Sequence, residues 1–246
     1  MQRLDRILSE AGVASRKELR AMIRSGRVMA DGAVVTEESR KFDETTVCVT
    51  VDGRPVRLRA PVLIMLNKPA GYLTAADDPK AKTVMELVPE EYRRLGVMPV
   101  GRLDKDTEGL LLLTNDGDLA HRILSPRHGV WKRYYAEHAG QTEPEDVRAF
   151  AAGLVLADGL HCLPARLTPL APGRSVVCVQ EGKYHQVRRM LASRGCPVTY
   201  LRREAEGGLT LGELPLGQTK ELDIGEAERL FAENPVILTE EKTCIF

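Results

Sequence analysis

The sequence predicts an α+β protein in two parts. A small module of two helices and a hairpin covers residues 1–60, and a larger domain on a mixed, largely antiparallel sheet covers 61–246. Three observations carry this. Helical and strand-like apolar patterns interleave along the chain. Several links between them are too short for the crossover that parallel strands need. The stretch RPVRLRAP at 54–61 has two prolines and three arginines, the composition of a linker.

In the first part, Leu4, Ile7, Leu8 and Ala11 form one face of a short helix that Gly12 ends. Ser15-Arg-Lys-Glu18 is a capping box, and the helix behind it buries Leu19, Met22 and Ile23 before Gly26. Two short strands then flank Asp31-Gly32, the pair favoured in type I′ hairpins. In the second part, Val62 to Leu66 and Gly109 to Asn115 are apolar runs of strand length. A helix with Leu119, Ala120, Ile123 and Leu124 on one face ends at Ser125-Pro126. Trp131 to His138 alternates as a strand, with Lys132, Tyr134 and Ala136 facing one way. Thr142-Glu-Pro-Glu145 is a second capping box, opening a helix with Val147, Phe150, Ala151 and Leu154 inward. Ser175 to Gln180 is a strand, and Gln186 to Arg194 a helix with Val187, Met190 and Leu191 on one face.

Composition narrows the class. Apolar residues are 43% and charged residues 28% of 246, ordinary for a folded soluble protein. No apolar run reaches the roughly 18 residues of a membrane span, and MQRLDRILSE is charged too early for a signal peptide. Five cysteines form no CxxC pair, which points to a reducing, cytoplasmic location without a disulfide framework or zinc site. Net charge is zero, but residues 1–61 carry +3, 62–203 carry +4 and 204–246 carry −7. The stretches 119–136 and 182–203 hold no acid at all. Such segregation suggests a polyanion-binding face.

The densest polar cluster, Gly101-Arg-Leu-Asp-Lys-Asp-Thr-Glu-Gly109, feeds the apolar strand from Leu110. Arg102 and Lys105 would keep Asp104 ionised as a nucleophile or base, with Asp106 and Glu108 as competing carboxylates. On or just beyond the second helix, Arg16, Arg20, Arg24 and Arg27 recur in one stripe.

These segments carry two resemblances. The opening RLDRIL, the Ser15-Arg16 pair and the run Ser25-Gly-Arg-Val-Met-Ala-Asp-Gly32 resemble an S4 RNA-binding domain. That likeness implies that Arg16, Arg20, Arg24 and Arg27 meet RNA phosphates. The segment from Gly101 to Gly117 resembles the catalytic segment of the rRNA pseudouridine synthases of the RsuA type. Asn67-Lys-Pro-x-Gly71, Lys132-Arg-Tyr134 and Glu181-Gly-Lys-Tyr-His-Gln-Val-Arg188-Arg-Met-Leu191 match further motifs of that family in order. The likeness covers about residues 1–225. It implies that Asp104 is the essential aspartate, acting by attack on the sugar, attack on the base or proton removal from the sugar. It implies that Tyr134 stacks on the flipped uracil and that Arg188 pairs with the catalytic carboxylate. Substrate binding falls to Arg102, which fills the gap left by the extruded nucleotide, to Leu191 in the pocket wall and to Lys68.

These assignments make chemical sense, because work on a base needs a wedge, a stacking platform and a dry pocket. An isomerisation needs no redox cofactor, and the chain has no metal or dinucleotide motif, so neither is expected. The segments Ser125-Pro-Arg-His128 and Lys183-Tyr-His-Gln186 resemble the small-subunit branch. The expected partner is therefore 16S rRNA in a partly assembled small subunit, with 23S rRNA as the alternative. A non-catalytic S4-type assembly factor would use the basic stripe alone. A carboxylate glycosidase would leave the S4-like module without a purpose.

Overall fold

In the computed structural model, which describes residues 1–44, 46–56 and 61–232, the first apolar stripe becomes helix α1 (Leu4–Glu10), with Leu4, Ile7 and Leu8 buried. Helix α2 (Arg16–Arg24) starts at the expected box. The Ser15 hydroxyl accepts from the Glu18 N–H, and the Glu18 carboxylate accepts from the Ser15 N–H at 2.9 Å. Two otherwise unpaired donors of the first turn are thereby satisfied. Strands β1 (Val28–Ala30) and β2 (Ala33–Val34) meet at Asp31 and Gly32, whose φ values of 50° and 78° make the type I′ turn. A second Asp-Gly pair, Asp52 and Gly53 at 50° and 74°, joins β3 (Val49–Val51) to β4 (Arg54–Pro55). The four strands run in the order β2-β1-β3-β4, all antiparallel. Arg54 and Pro55, read from composition as linker, are thus the edge strand of this sheet. An edge tolerates a proline because one side of the strand needs no donor. The remaining linker residues 57–60 lie outside the described residues.

Three members of the arginine stripe meet carboxylates. Glu38 lies 3.8 Å from Arg20 Nε and 3.3 Å from Arg24 Nη2, and Arg27 Nε donates to Asp52 at 2.8 Å. Counting along one helix cannot see carboxylates that other segments bring to its face. Arg16 stands exposed at the start of the stripe.

The chain divides into two compact units, Met1–Pro61 and Val62–Phe246. The main elements of the second are β5 (Leu63–Lys68), β6 (Met98–Val100), β7 (Glu108–Thr114), α3 (Gly117–Leu124), β8 (Lys132–His138), α4 (Pro144–Ala152), β9 (Arg166–Ala171), β10 (Arg174–Val179), α5 (Gln186–Ser193), β11 (Val198–Glu206), β12 (Leu209–Thr210) and β13 (Thr219–Leu222). Among the described residues their sheet has nine strands along the path β9-β10-β8-β11-β7-β5-β13, with β12 beside β11 and β6 beside β7. Among the described strands of this sheet, only β11 and β7 pair in parallel.

Two cores sandwich β5 and β7. Ile64, Leu66, Leu111 and Leu113 pack on one face with Phe150 of α4 and Val187, Met190 and Leu191 of α5. Leu63, Met65, Leu110 and Leu112 pack on the other with Ile123 of α3. Strands buried on both faces read as unbroken apolar runs, which is why these two were plain in the sequence. Strand β8 alternates instead, with Lys132, Tyr134, Ala136 and His138 buried. Strands β9, β11 and β13 had no such signature.

Two local expectations shift. Helix α4 starts at Glu143, whose backbone carbonyl accepts from the Asp146 N–H at 2.9 Å while the Asp146 carboxylate accepts from the Glu143 N–H at 2.9 Å, and Thr142 is buried, its hydroxyl 3.4 Å from that of Ser175. Proline favours the first helical position, so Pro144 moves the cap one residue on from Thr142. Ala151, expected inward, is exposed. Among the described residues no helix is long and apolar enough to cross a membrane, and Cys48, Cys162, Cys178 and Cys196 carry free thiols.

The acid-free stretches also read differently in space. Arg188 pairs with Asp106, Arg189 with Asp158, Arg194 with Asp146, Arg133 with Glu204, and Lys132 and Arg203 with Glu206. Charge separated along the chain is recombined by the fold.

Candidate active site

The loop between β6 and β7 carries Asp104, and the segment that follows β5 holds it in place. Thr74 donates to the Leu103 carbonyl at 2.8 Å and accepts from its N–H at 3.2 Å. The Gly71 N–H donates to the Lys105 carbonyl at 2.8 Å. Lys68, at the end of β5, is fully buried, and its ammonium donates to the carbonyls of Pro69 (3.1 Å), Asp104 (3.1 Å), Lys105 (3.2 Å) and Thr107 (2.8 Å). Burial pushes Lys68 down to about 8, against the pull of Asp106, Glu108 and Asp104. The expected substrate contact of Lys68 is therefore corrected: all three of its N–H donors go to the loop backbone, and none of its surface faces solvent.

Where the loop enters β7, Gly109 sits at φ +102°, and a Cβ there would lie 2.1 Å from the Arg203 carbonyl oxygen. Only glycine fits, because this is the point at which β7 and β11 pair in parallel, with Arg203 opposite Gly109. The same Arg203 pairs on its other side with Tyr134 of β8. The sheet order thus carries Tyr134 to within one strand of the Asp104 loop.

The opposing wall is the turn before α5. The Glu181 carboxylate accepts from the Leu163 N–H at 2.9 Å and from Gln186 Nε2 at 2.8 Å, and Gln186 Oε1 accepts from the Lys183 N–H at 3.0 Å. This closed knot delivers His185, at φ +49°, to the helix start. Its Nε2 lies 3.5 Å from Asp104 Oδ1. Sequence reasoning found no role for His185; its spacing of three from Arg188 puts both on one side of the first helical turn and was the available signal.

These walls enclose an open cavity of about 420 Å³, counting its mouth, lined by Arg102, Asp104 and Tyr134 among others. Its apolar surface comes from Leu103, Val179, Val187 and Leu201. Leu191, expected there, lies one turn beyond Val187 on α5 and is fully buried in the core. Arg102 is exposed at the rim. Tyr134 is buried, and burial pushes its phenol up, so it stays a neutral donor. Tyr135 points away and donates to Glu137 at 3.0 Å.

Among the carboxylates named from the sequence, Asp104 is the one in the cavity. Asp106 is largely exposed and takes the Arg188 guanidinium at 3.0 Å, and Glu108 accepts from the Tyr200 hydroxyl at 2.8 Å. Arg188 Nε lies 3.8 Å from Asp104 Oδ2, a charge contact without a hydrogen bond. Asp104 is thus compensated but not saturated: the His185 ring nitrogen and the Arg188 guanidinium stand at 3.5 and 3.8 Å, and the carboxylate lines the cavity. A reactive carboxylate beside a buried aromatic ring and an apolar wall suits a flat polar ring taken out of water. Among the described residues no group of three or more His, Cys, Asp or Glu side chains is placed to hold a metal ion.

The profile of the RNA pseudouridylate synthase family matches residues 62–193, more than half of the chain, and that of the S4 domain matches residues 2–47. The chain belongs to the RNA pseudouridylate synthase family. It is 41% identical over 225 residues to an uncharacterized RNA pseudouridine synthase, YtzG, of Bacillus subtilis (strain 168), covering 89% of this chain and 94% of that protein. It is 36% identical over 239 residues to ribosomal large subunit pseudouridine synthase B of the same organism, covering 94% and 96%. It is 37% identical over 212 residues to ribosomal small subunit pseudouridine synthase A of Vibrio cholerae, covering 86% and 91%. As a pseudouridine synthase the enzyme isomerises uridine in RNA, and Asp104 and Tyr134 of the cavity lie within the matched residues.

Proposed function

We propose that this pseudouridine synthase converts one uridine of 16S rRNA, in a partly assembled small subunit, with Asp104 as the reactive group. The observation that carries the catalytic part is the unsaturated Asp104 carboxylate in the cavity that Tyr134 lines. In the reaction the bond from N1 of uracil to C1′ of ribose breaks. The base turns, C5 joins C1′, the proton on C5 leaves and N1 gains one. Atoms balance without an external reagent.

The uridine leaves its stack and enters the cavity, where Tyr134 faces the uracil. Base–aromatic stacking contributes about 1–3 kcal/mol. Val187 and Leu201 supply the wall assigned beforehand to Leu191. Arg188 and His185 flank the Asp104 carboxylate at 3.8 and 3.5 Å, and Arg102 fills the vacated position in the RNA. In the S4 unit, Arg16 meets phosphate directly, while phosphate replaces Glu38 at Arg20 and Arg24 and Asp52 at Arg27.

Named relatives act on both ribosomal subunits, at nearly equal identity. The segments Ser125-Pro-Arg-His128 and Lys183-Tyr-His-Gln186 favour the small one. Mapping pseudouridines in rRNA from cells with and without the gene tests this. The expected result is the loss of one modification from 16S rRNA with 23S rRNA unchanged. A loss confined to 23S rRNA moves the target to the large subunit and leaves the catalytic assignments standing.

A further inference from the structure

We propose that the outer face of the Tyr184 ring is a second base-binding site, which stacks on the unpaired nucleobase next to the uridine in the cavity. This rests on the reading that the cavity takes an extruded uridine.

Tyr184 is 76% exposed, whereas Tyr134 of the cavity is 8% exposed. One face of its ring is covered by His185, with centroids 3.9 Å apart and planes 17° from parallel. Neighbouring side chains of an extended segment point in opposite directions. Here the left-handed backbone of His185, at φ +49°, folds the two rings together. Such a conformation is uncommon outside glycine and is held only where the surroundings impose it. The surroundings are the knot beneath it: Gln186 to Glu181 at 2.8 Å and the Lys183 N–H to Gln186 at 3.0 Å.

The result is a fixed aromatic step. His185 lines the cavity with its Nε2 3.5 Å from Asp104, and Tyr184 stacks on one face of the His185 ring. Extruding a nucleotide leaves its neighbours without a stacking partner at the mouth of the site. A ring already ordered by the fold loses little freedom on binding. The ligand class is an unpaired nucleobase, purine or pyrimidine, because every base presents a π face.

The test uses the full-length enzyme and 16S and 23S rRNA from cells lacking the gene. Tyr184→Ala should raise Kd and KM roughly five- to hundredfold while kcat at saturation is retained. Tyr184→Phe should restore both constants, since it keeps the ring. Tyr184→Trp adds a second tryptophan to Trp131, and its added emission should be quenched by RNA. Affinity of Tyr184→Ala within twofold of wild type, with Tyr184→Trp emission unchanged at saturating RNA, would overturn the proposal. Failure of Tyr184→Phe to restore binding would overturn stacking in favour of the hydroxyl. If the wild-type enzyme forms no pseudouridine in either RNA, the reading of the cavity fails, and the quench still decides the stack.

Discussion

Asp104→Asn abolishes pseudouridine formation, lowering the single-turnover rate by at least about 10³-fold, a barrier increase of about 4 kcal/mol or more. The substitution keeps the shape of the side chain and removes its charge and basicity. The fold should not register it. Lys68 holds the loop through the backbone carbonyl of Asp104 and not through its carboxylate. The contacts the side chain does make, at 3.5 Å to His185 and 3.8 Å to Arg188, are too long to anchor the loop. Thermal stability and affinity for rRNA should therefore stay close to wild type while product disappears. Single-turnover assays with binding measured in parallel check this. A rate within tenfold of wild type would place the reactive group elsewhere.

Lys68→Met destabilises the catalytic domain by about 3–5 kcal/mol. The ammonium serves four carbonyls at 2.8–3.2 Å. A buried acceptor left without its donor costs about 1–3 kcal/mol, and the loop relaxes to recover part of the total. Denaturant unfolding measures the loss, and residual activity in the folded fraction should also fall because Asp104 is no longer held. A change below about 1 kcal/mol would mean that Thr74 and Gly71 fix the loop alone.

The same lysine gives a pH signature. Burial places it at about 8 in the folded enzyme against an ordinary value of 10.5. Between those values the unfolded chain keeps the proton and the folded one releases it. Stability from this group therefore rises with pH across that window. Activity moves the other way. A neutral amine has two donors in place of three, so kcat/KM should fall along an alkaline limb centred near 8.

What the sequence shows of the site follows from how each residue is used. Asp104 was legible because a polar loop entering a four-leucine strand is a strong local contrast, and that strand is buried on both faces. Tyr134 was legible because Lys132, Tyr134 and Ala136 alternate on a half-buried strand, with Tyr135 on the other side. Lys68 was placed in the right segment but given the wrong task. A lysine signals positive charge in a sequence, and nothing local reveals that carbonyls 36 to 39 positions away will consume it. Leu191 and Val187 share a helical face, and only the packing of α5 decides which of the two reaches the cavity. His185 depends on a left-handed residue and a knot between Glu181 and Gln186, neither of which has a periodic signature.

Strand β11 shows the same limit on a larger scale. Its residues Arg202 and Arg203 sit in an acid-free run that suggests an exposed basic face. In the fold Arg203 is buried, donating to the Leu110 carbonyl at 2.7 Å and lying 3.3 Å from Glu206. A charged central strand violates the apolar pattern by which strands are recognised, and it is stabilised by partners that tertiary contact supplies.

The central claim is that the cavity at Asp104 isomerises a uridine of 16S rRNA. Its most direct test is tritium release from 16S rRNA labelled with [5-³H]uridine, prepared from cells lacking the gene and treated with the purified enzyme. Joining C5 to C1′ expels the hydrogen on C5, so each turnover liberates one tritium. The account predicts release that levels off at one tritium per 16S molecule, and none with Asp104→Asn. Release at the same rate from the Asp104→Asn enzyme, or none from 16S rRNA with the wild type, would contradict it.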